Sequence, residues 1–227
     1  WDSQTDARRV GHKAIARVSS DIAAMGGTPA QFMVTLAIPP STRLEWAREL
    51  YRGMGDCLRK HGGIMVGGET TGIREGSPIV ISVAASGEVG VGRAVLRSTG
   101  QAGDMLLVTG TLGGSLAGKH QDFSPRIQEA AWLTRNFMPS AMMDLSDGLA
   151  KDLPRLAKAS ACGFKLEREA IPCSAGCTLD QALKDGEDYE LLLSIDAQQV
   201  DRLLKAWSEQ FELPLTVIGK LCELGSG

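Results

Sequence analysis

The sequence predicts an α+β fold in two domains, residues 1–95 and 96–227, and three observations carry that reading. Strand-like and helix-like runs mix without regular βαβ alternation. A chain of 227 residues has room for one large domain or two small ones, with a core that needs no disulfide or structural metal. Residues 92–103 turn polar, with Arg93, Arg97 and three glycines, and place a boundary between the halves.

Residues 7–18 keep Ala7, Val10, Ala14 and Val18 on one helical face, and the run 20–27 that follows is stopped by its glycines. Phe32, Val34, Leu36 and Ile38 alternate with Gln31, Met33, Thr35 and Ala37 as a strand with one more apolar face. Thr42 and Glu45 have the spacing of a capping box, which starts a helix at 42 carrying Leu44, Ala47, Tyr51, Met54 and Leu58 at helical intervals. Gly62-Gly63 ends it; residues 64–66 and 78–89 are strands. In the second half, strands are expected at 104–109, 141–144, 164–166, 189–195 and 215–218, and helices at 126–136, 149–160 and 198–210.

Composition excludes several functions. The net charge is −3, from 24 basic and 27 acidic residues with no long basic run, which argues against a nucleic-acid partner. The longest apolar stretch, 79–85, is broken by Ser82 and falls far short of the ~20 residues that span a bilayer, so no membrane partner is expected. The five cysteines include no CxxC pair and read as free thiols in a reducing cytoplasm. Glycine contributes 27 residues, against a usual share of about 7%, much of it in polar loops where backbone can approach a ligand. The chain opens Trp1-Asp2-Ser3 and stops at Gly227 just after a strand-like run, the pattern of a piece of a longer protein.

Gly113, Gly118 and Lys119 match a Walker A loop, but His120 stands where a magnesium-binding hydroxyl is needed and Pro125 interrupts the helix that should follow. The acidic motifs are stronger. Asp144-Leu145-Ser146-Asp147-Gly148 lies between a strand and a helix; its carboxylates suit a hard cation shared with phosphate oxygens, or a helix N-cap. Asp21, after Ser20, either caps a helical segment or presents a carboxylate. Gly67-Gly68-Glu69-Thr70-Thr71 reads as a strand-end turn, and Gly186-Glu187-Asp188-Tyr189-Glu190 enters a strand. Arg97 is a surface cation or a phosphate ligand. The conjunction of four acidic, glycine-flanked motifs suits phosphoryl transfer, where catalysis is positioning and charge neutralisation. The three histidines, His12, His61 and His120, all fall outside these motifs, and no general base is expected.

These motifs, with Val10-Gly11-His12-Lys13-Ala14, Ser20-Asp21-Ile22-Ala23-Ala24-Met25-Gly26, Leu96-Arg97-Ser98 and Val108-Thr109-Gly110, occur in the order found in the thiamine-monophosphate kinases. The chain resembles that family, within the aminoimidazole ribonucleotide synthetase-like ATP-binding superfamily. The resemblance implies ATP-dependent phosphorylation of thiamine monophosphate with several Mg2+ ions, at an ATP site between the domains. It implies metal ligation by Asp21, Glu69, Asp144 and Asp147, ATP contacts from Gly68, Glu69, Arg97 and Ser146, and a thiamine contact from Glu187. It also implies a homodimer formed through the N-terminal domains, in keeping with a sheet around residues 32–38 too small to leave its more apolar face in water. The family has Asp where this chain has Glu69. Its N-terminal acidic motifs and a substrate-site His would precede Trp1, and an aromatic residue over the substrate would follow Gly227. Residues 1–227 alone are therefore expected to be inactive. The alternatives are another ATP-using enzyme of the superfamily or an inactive nucleotide-binding module, the latter favoured by Glu69 alone.

Overall fold

The computed structural model describes residues 5–225; the readings made on residues 1–3 and 226–227 lie outside them. Helix α1 (Ala7–Ala24) begins at Asp6, whose side chain accepts from the Arg8 and Arg9 amides, and it runs unbroken through Ser20 and Asp21. Those two residues cap nothing; they sit in the helix's last two turns. Strand β1 (Thr28–Ile38) starts earlier than its alternation shows and is followed by helix α2 (Leu44–His61), strand β2 (Ile64–Gly72) and strand β3 (Val80–Glu88). The capping box does not form. Arg43 occupies the N-cap without a side-chain bond, and the Thr42 hydroxyl is buried without a partner.

The first sheet has the order β2-β1-β3, with β1 and β2 parallel across α2 and β1 and β3 antiparallel. Phe32, Val34 and Leu36 are buried with Val10 and Ile15 of α1 and Leu50 and Met54 of α2. The more apolar face is thus covered by the chain's own helices, which corrects the expectation that it calls for a second copy. The Gly67–Thr71 motif is no turn: it lies within β2, and a Cβ on Gly68 would stand 2.0 Å from the Val34 carbonyl oxygen.

The second sheet is antiparallel, in the order β5-β7-β4-β8-β6. It is built from β4 (Met105–Thr109), β5 (Ala141–Asp144), β6 (Gly163–Leu166), β7 (Leu191–Ile195) and β8 (Leu215–Cys222). Helices α3 (Lys119–Asp122), α4 (Ile127–Asn136), α5 (Leu149–Ala159), α6 (Leu179–Lys184) and α7 (Val200–Gln210) complete it. The sheet is covered on both faces, by α5 and α6 on one and α4 and α7 on the other. Helix α6 went unread in the sequence, although its signature is the capping box that does form, Thr178 with Gln181.

Helix α1 belongs to both halves. Ala23 and Ala24 pack with Val95 and the α4 side of the second sheet, while Phe123 and Tyr189 of the second half join the core under the first sheet. Its place against α2 is set by backbone contact: a Cβ on Gly11 would fall 2.0 Å from the Leu50 oxygen, and one on Gly53 would fall 1.8 Å from the Arg8 oxygen. Ala at position 53 should gain about 1 kcal/mol of helix propensity and lose more to a clash that no rotamer change relieves. Gly53→Ala should destabilise the protein by roughly 1–3 kcal/mol net. An unchanged urea midpoint would show that the helices can separate without loss.

Candidate active site

Arg9, Lys13, Arg17 and Asp21 recur every four residues along one face of α1. They line a cleft of about 460 Å³ that is bounded by Ser82 of β3 and by Glu187. Asp21 also lines a neighbouring cleft of about 230 Å³, with Arg97, Ser98 and Asp144. The two clefts therefore meet at Asp21.

Asp144, at the end of β5, is buried and accepts a hydrogen bond from Ser20 Oγ at 2.6 Å, a contact between the two halves of the chain. Burial, with Asp21 and Asp152 adding negative charge nearby, pushes its carboxyl up to about 6 although the Ser20 bond pulls the other way. Desolvation also raises Asp21, opposed by the charges of Arg17 and Arg97. The Arg97 carbonyl oxygen accepts from Ser160 Oγ at 2.9 Å, but its guanidinium makes no ion pair or hydrogen bond among the described residues and lines the smaller cleft.

The two acidic loops lie side by side. The Leu145 amide donates to the Glu190 oxygen, the Tyr189 amide to the Leu145 oxygen and the Glu187 amide to the Ser146 oxygen, each at 2.9 Å. These bonds hold Glu187 and Tyr189 in the left-handed region, at φ 57° and 51°, where a side chain costs about 1–3 kcal/mol. The carboxylates of Asp144 and Asp147 do not cap α5, whose N-cap is Gly148. Instead the buried Asp152 reaches back and accepts from the Ser146 amide at 3.1 Å and the Asp147 amide at 2.9 Å. Asp147 itself is half exposed and paired with Arg155, which holds its carboxyl below the usual range.

Of the acids in the Gly186–Glu190 motif, two are structural. Glu190 is buried and receives two bonds from Arg126, both at 2.7 Å, and one from Thr109 Oγ1 at 2.8 Å. Asp188 accepts from the Gly113 amide at 3.0 Å, and Asp185 accepts from the Gly114 amide at 2.9 Å. The amides of the would-be Walker loop are thus occupied by carboxylates, and Lys119 turns toward Glu190 at 3.3 Å. Glu187 alone reaches the large cleft. It pairs with Lys13 and lies 3.3 Å from His120 Nδ1, which accepts from Lys13 Nζ at 2.6 Å. Burial pushes the Glu187 carboxyl up, but Lys13, His120 and Arg17 outweigh it and hold it below its ordinary value. His120 thus touches a site residue far from it in sequence, with Nδ1 already engaged.

Glu69 is not brought to this place. With Gly68 it lines a separate, open cleft of about 370 Å³ beside Tyr51. Its backbone lies level with Thr35 on the outer face of the first sheet. Among the described residues no three His, Cys, Asp or Glu side chains converge into a ready metal shell. The residues sequence reasoning missed are Lys13, Arg17, His120 and Asp152. Only the four-residue spacing along α1 could have signalled the first two.

Residues 2–89 match the family model of the AIR synthase related protein N-terminal domain, and residues 80–227 match that of the C-terminal domain. The chain is 36% identical over 222 residues to the thiamine-monophosphate kinase of Rhodopirellula baltica, covering 93% of this chain and 68% of that protein. The chain belongs to the AIR synthase related family, among its thiamine-monophosphate kinases. The Bacillus subtilis thiamine-monophosphate kinase is 30% identical over 242 residues, spanning 94% of this chain and 73% of that protein. The crystal structure of thiamine-monophosphate kinase from Stenotrophomonas maltophilia superposes with a TM-score of 0.87 at 30% identity, over 98% of this chain and 78% of that one. AaThiL complexed with AMPPCP and TMP gives a TM-score of 0.85 at 27% identity, over 97% and 76% of the two chains.

In this thiamine-monophosphate kinase fold, ionised Asp144 is a cost. Its folded pKa lies above the value of about 3.9 expected when unfolded, so the native state binds more protons between about pH 4 and 6 and loses stability as pH rises through that window. Asp144→Asn keeps an acceptor for Ser20 and removes the charge. In metal-free protein at pH 7 it should raise stability by up to about 3 kcal/mol while turnover collapses. Equal stability of the two proteins in chelator-treated thermal melts would show that the carboxylate is not penalised.

Proposed function

We propose that this kinase transfers phosphate where the two clefts meet, with ATP in the Asp21–Arg97–Asp144 cleft and thiamine monophosphate in the cleft bearing Glu187. The reaction is the ATP-dependent phosphorylation of thiamine monophosphate to thiamine diphosphate, in line with the kinase relatives and the ATP-analogue complex. The observation that carries the placement is the meeting of Asp21 and Asp144, from opposite halves of the chain, with an unpaired Arg97 beside them.

The donor set fits Mg2+. Asp144 and Asp21 are hard oxygen donors, the charge of Asp21 adds to the cost of ionising the buried Asp144, and Asp144 has a hydroxyl but no cation as its partner. Asp21 and Asp144 would hold the ion. Asp147, paired with Arg155 in the protein, would be a further ligand if its carboxylate turned from that arginine, and Ser146 lies between Asp144 and Asp147 in the chain. When bound, the metal supplies charge neutralisation for the phosphates of ATP. The second pKa of a phosphate monoester is about 6, so the acceptor is already largely ionised at neutral pH and needs no general base. The chain's work is to hold two anions in line. Arg97 offsets their repulsion, and Lys13 with His120 fixes Glu187 toward the thiamine moiety.

We assign Gly68 and Glu69 to ATP and metal through an assembly of two copies rather than within one chain. The outer face of the first sheet leaves Met33 and Val80 about half exposed and Ile64 more so, and it carries Glu69. Light scattering at micromolar concentration should give a homodimer; a monomer would remove this role for Glu69. Five free cysteines and dependence on ATP support a cytoplasmic location, and among the described residues no helix is long and apolar enough to cross a membrane.

Glu187→Gln should raise KM for thiamine monophosphate about tenfold or more, with KM for ATP little changed, because a carboxylate gains from the cationic thiazolium or the aminopyrimidine and not from ATP. Steady-state kinetics of the full-length parent with each substrate varied would test it; equal effects on both would make Glu187 a purely structural residue.

A further inference from the structure

The cationic stripe of α1 is unevenly committed. Arg9 donates to Asp122 from Nε at 2.9 Å and to the Gly118 oxygen. Lys13 is taken up by Glu187 and His120. Arg17, one turn further on, lines the same cleft and is exposed, and its guanidinium makes no ion pair or hydrogen bond among the described residues. Its charge still reaches Asp21, Asp147 and Glu187, since it pulls the carboxyl pKa of each downward.

We propose that Arg17 receives the phosphate of the monophosphate acceptor and so makes the enzyme select a phosphorylated substrate over the free alcohol. This rests on the reading that the Glu187 cleft binds thiamine monophosphate. Successive members of the stripe are four residues apart, about 6 Å along the helix axis. Lys13 fixes Glu187 at one level, Arg17 stands one turn on, and Asp21 one turn beyond that, where the second cleft begins. A substrate with its thiamine end at Glu187 and its reactive end toward Asp21 and Asp144 carries its phosphate past Arg17. The smaller cleft has its own unpaired arginine in Arg97, so each of the two anionic reactants meets one free guanidinium. An unpaired guanidinium beside two carboxylates is otherwise a fork of donors with nothing to bind, and its geometry matches a phosphate monoester.

The test is calorimetric titration of the full chain with thiamine monophosphate and, separately, with thiamine, for the parent, Arg17→Gln and Arg17→Lys. The parent should prefer the monophosphate by roughly 10- to 100-fold. Arg17→Gln should lose that preference while binding thiamine as the parent does, which also reports an intact fold. Arg17→Lys should recover part of it, because the charge returns without the bidentate fork. Kinetics of the same variants in the full-length parent should show KM for the monophosphate rising with KM for ATP little changed. Retention of the monophosphate preference in Arg17→Gln, or an equal loss of ATP affinity, would overturn the proposal while leaving the site reading intact. A parent that does not distinguish thiamine monophosphate from thiamine would overturn both.

Discussion

The structure depends on two helices meeting without side chains between them. Gly11 and Gly53 let the backbones of α1 and α2 touch at each other's carbonyl oxygens, a separation that any Cβ would abolish. With α2 fixed between two parallel strands, that contact settles where α1 lies and how it is rotated. Every charged group the first half contributes to these two clefts is carried on α1, with Ser82 of β3 beside them. Lys13 reaches Glu187, Ser20 reaches Asp144, and Asp21 stands between the clefts because a helix positions residues four apart on one face. The same helix closes the core of the second half through Ala23 and Ala24. A shift of α1 would therefore uncouple the halves and take apart the site in one movement.

The site is assembled against local stability. Asp144 is buried beside other carboxylates with a hydroxyl for company, and Glu187 and Tyr189 occupy a backbone region that side chains avoid. The surroundings compensate with fully satisfied polar contacts. Glu190 is held by Arg126 and Thr109, Asp188 by the glycine-rich loop, and the 146–147 amides by Asp152. The result is a rigid frame of paired acids around a few unpaired ones. A carboxylate whose cation is absent from the protein is poised to take one from a ligand, which is the requirement of an enzyme that handles metal-bound phosphates.

Much of the fold was legible because hydrophobic period is a local property. The alternation of Phe32, Val34 and Leu36 and the helical spacing of Met54 and Leu58 survive in the structure as the buried faces of β1 and α2. Capping was less legible. Thr42 and Glu45 have the right spacing and form nothing, whereas Thr178 and Gln181, at the start of a helix too short to show a period, form the full box. The glycine-rich loop was separated from a phosphate loop by the missing hydroxyl and by Pro125. The structure adds the reason it could not serve as one, since its amides already answer to Asp185 and Asp188.

The sequence by itself determined which chemistry the chain carries: acids flanked by glycine at strand ends, an arginine in a polar connection, and the motif order that marks a thiamine-monophosphate kinase. It also determined most of the longer helices and strands, whose periods are local, but not the short helices α3 and α6 or the full length of β2. Only the tertiary structure decided which acids work together. Asp144 meets Ser20 across 124 positions, and Glu187 meets Lys13 and His120, while Glu69 lies on another face and Asp188 and Glu190 turn inward. Identical residue types in one motif thus received opposite tasks. The physical reason is that the direction of a side chain at a strand end is set by the partner strand's hydrogen bonds, and here those bonds join segments more than forty residues apart.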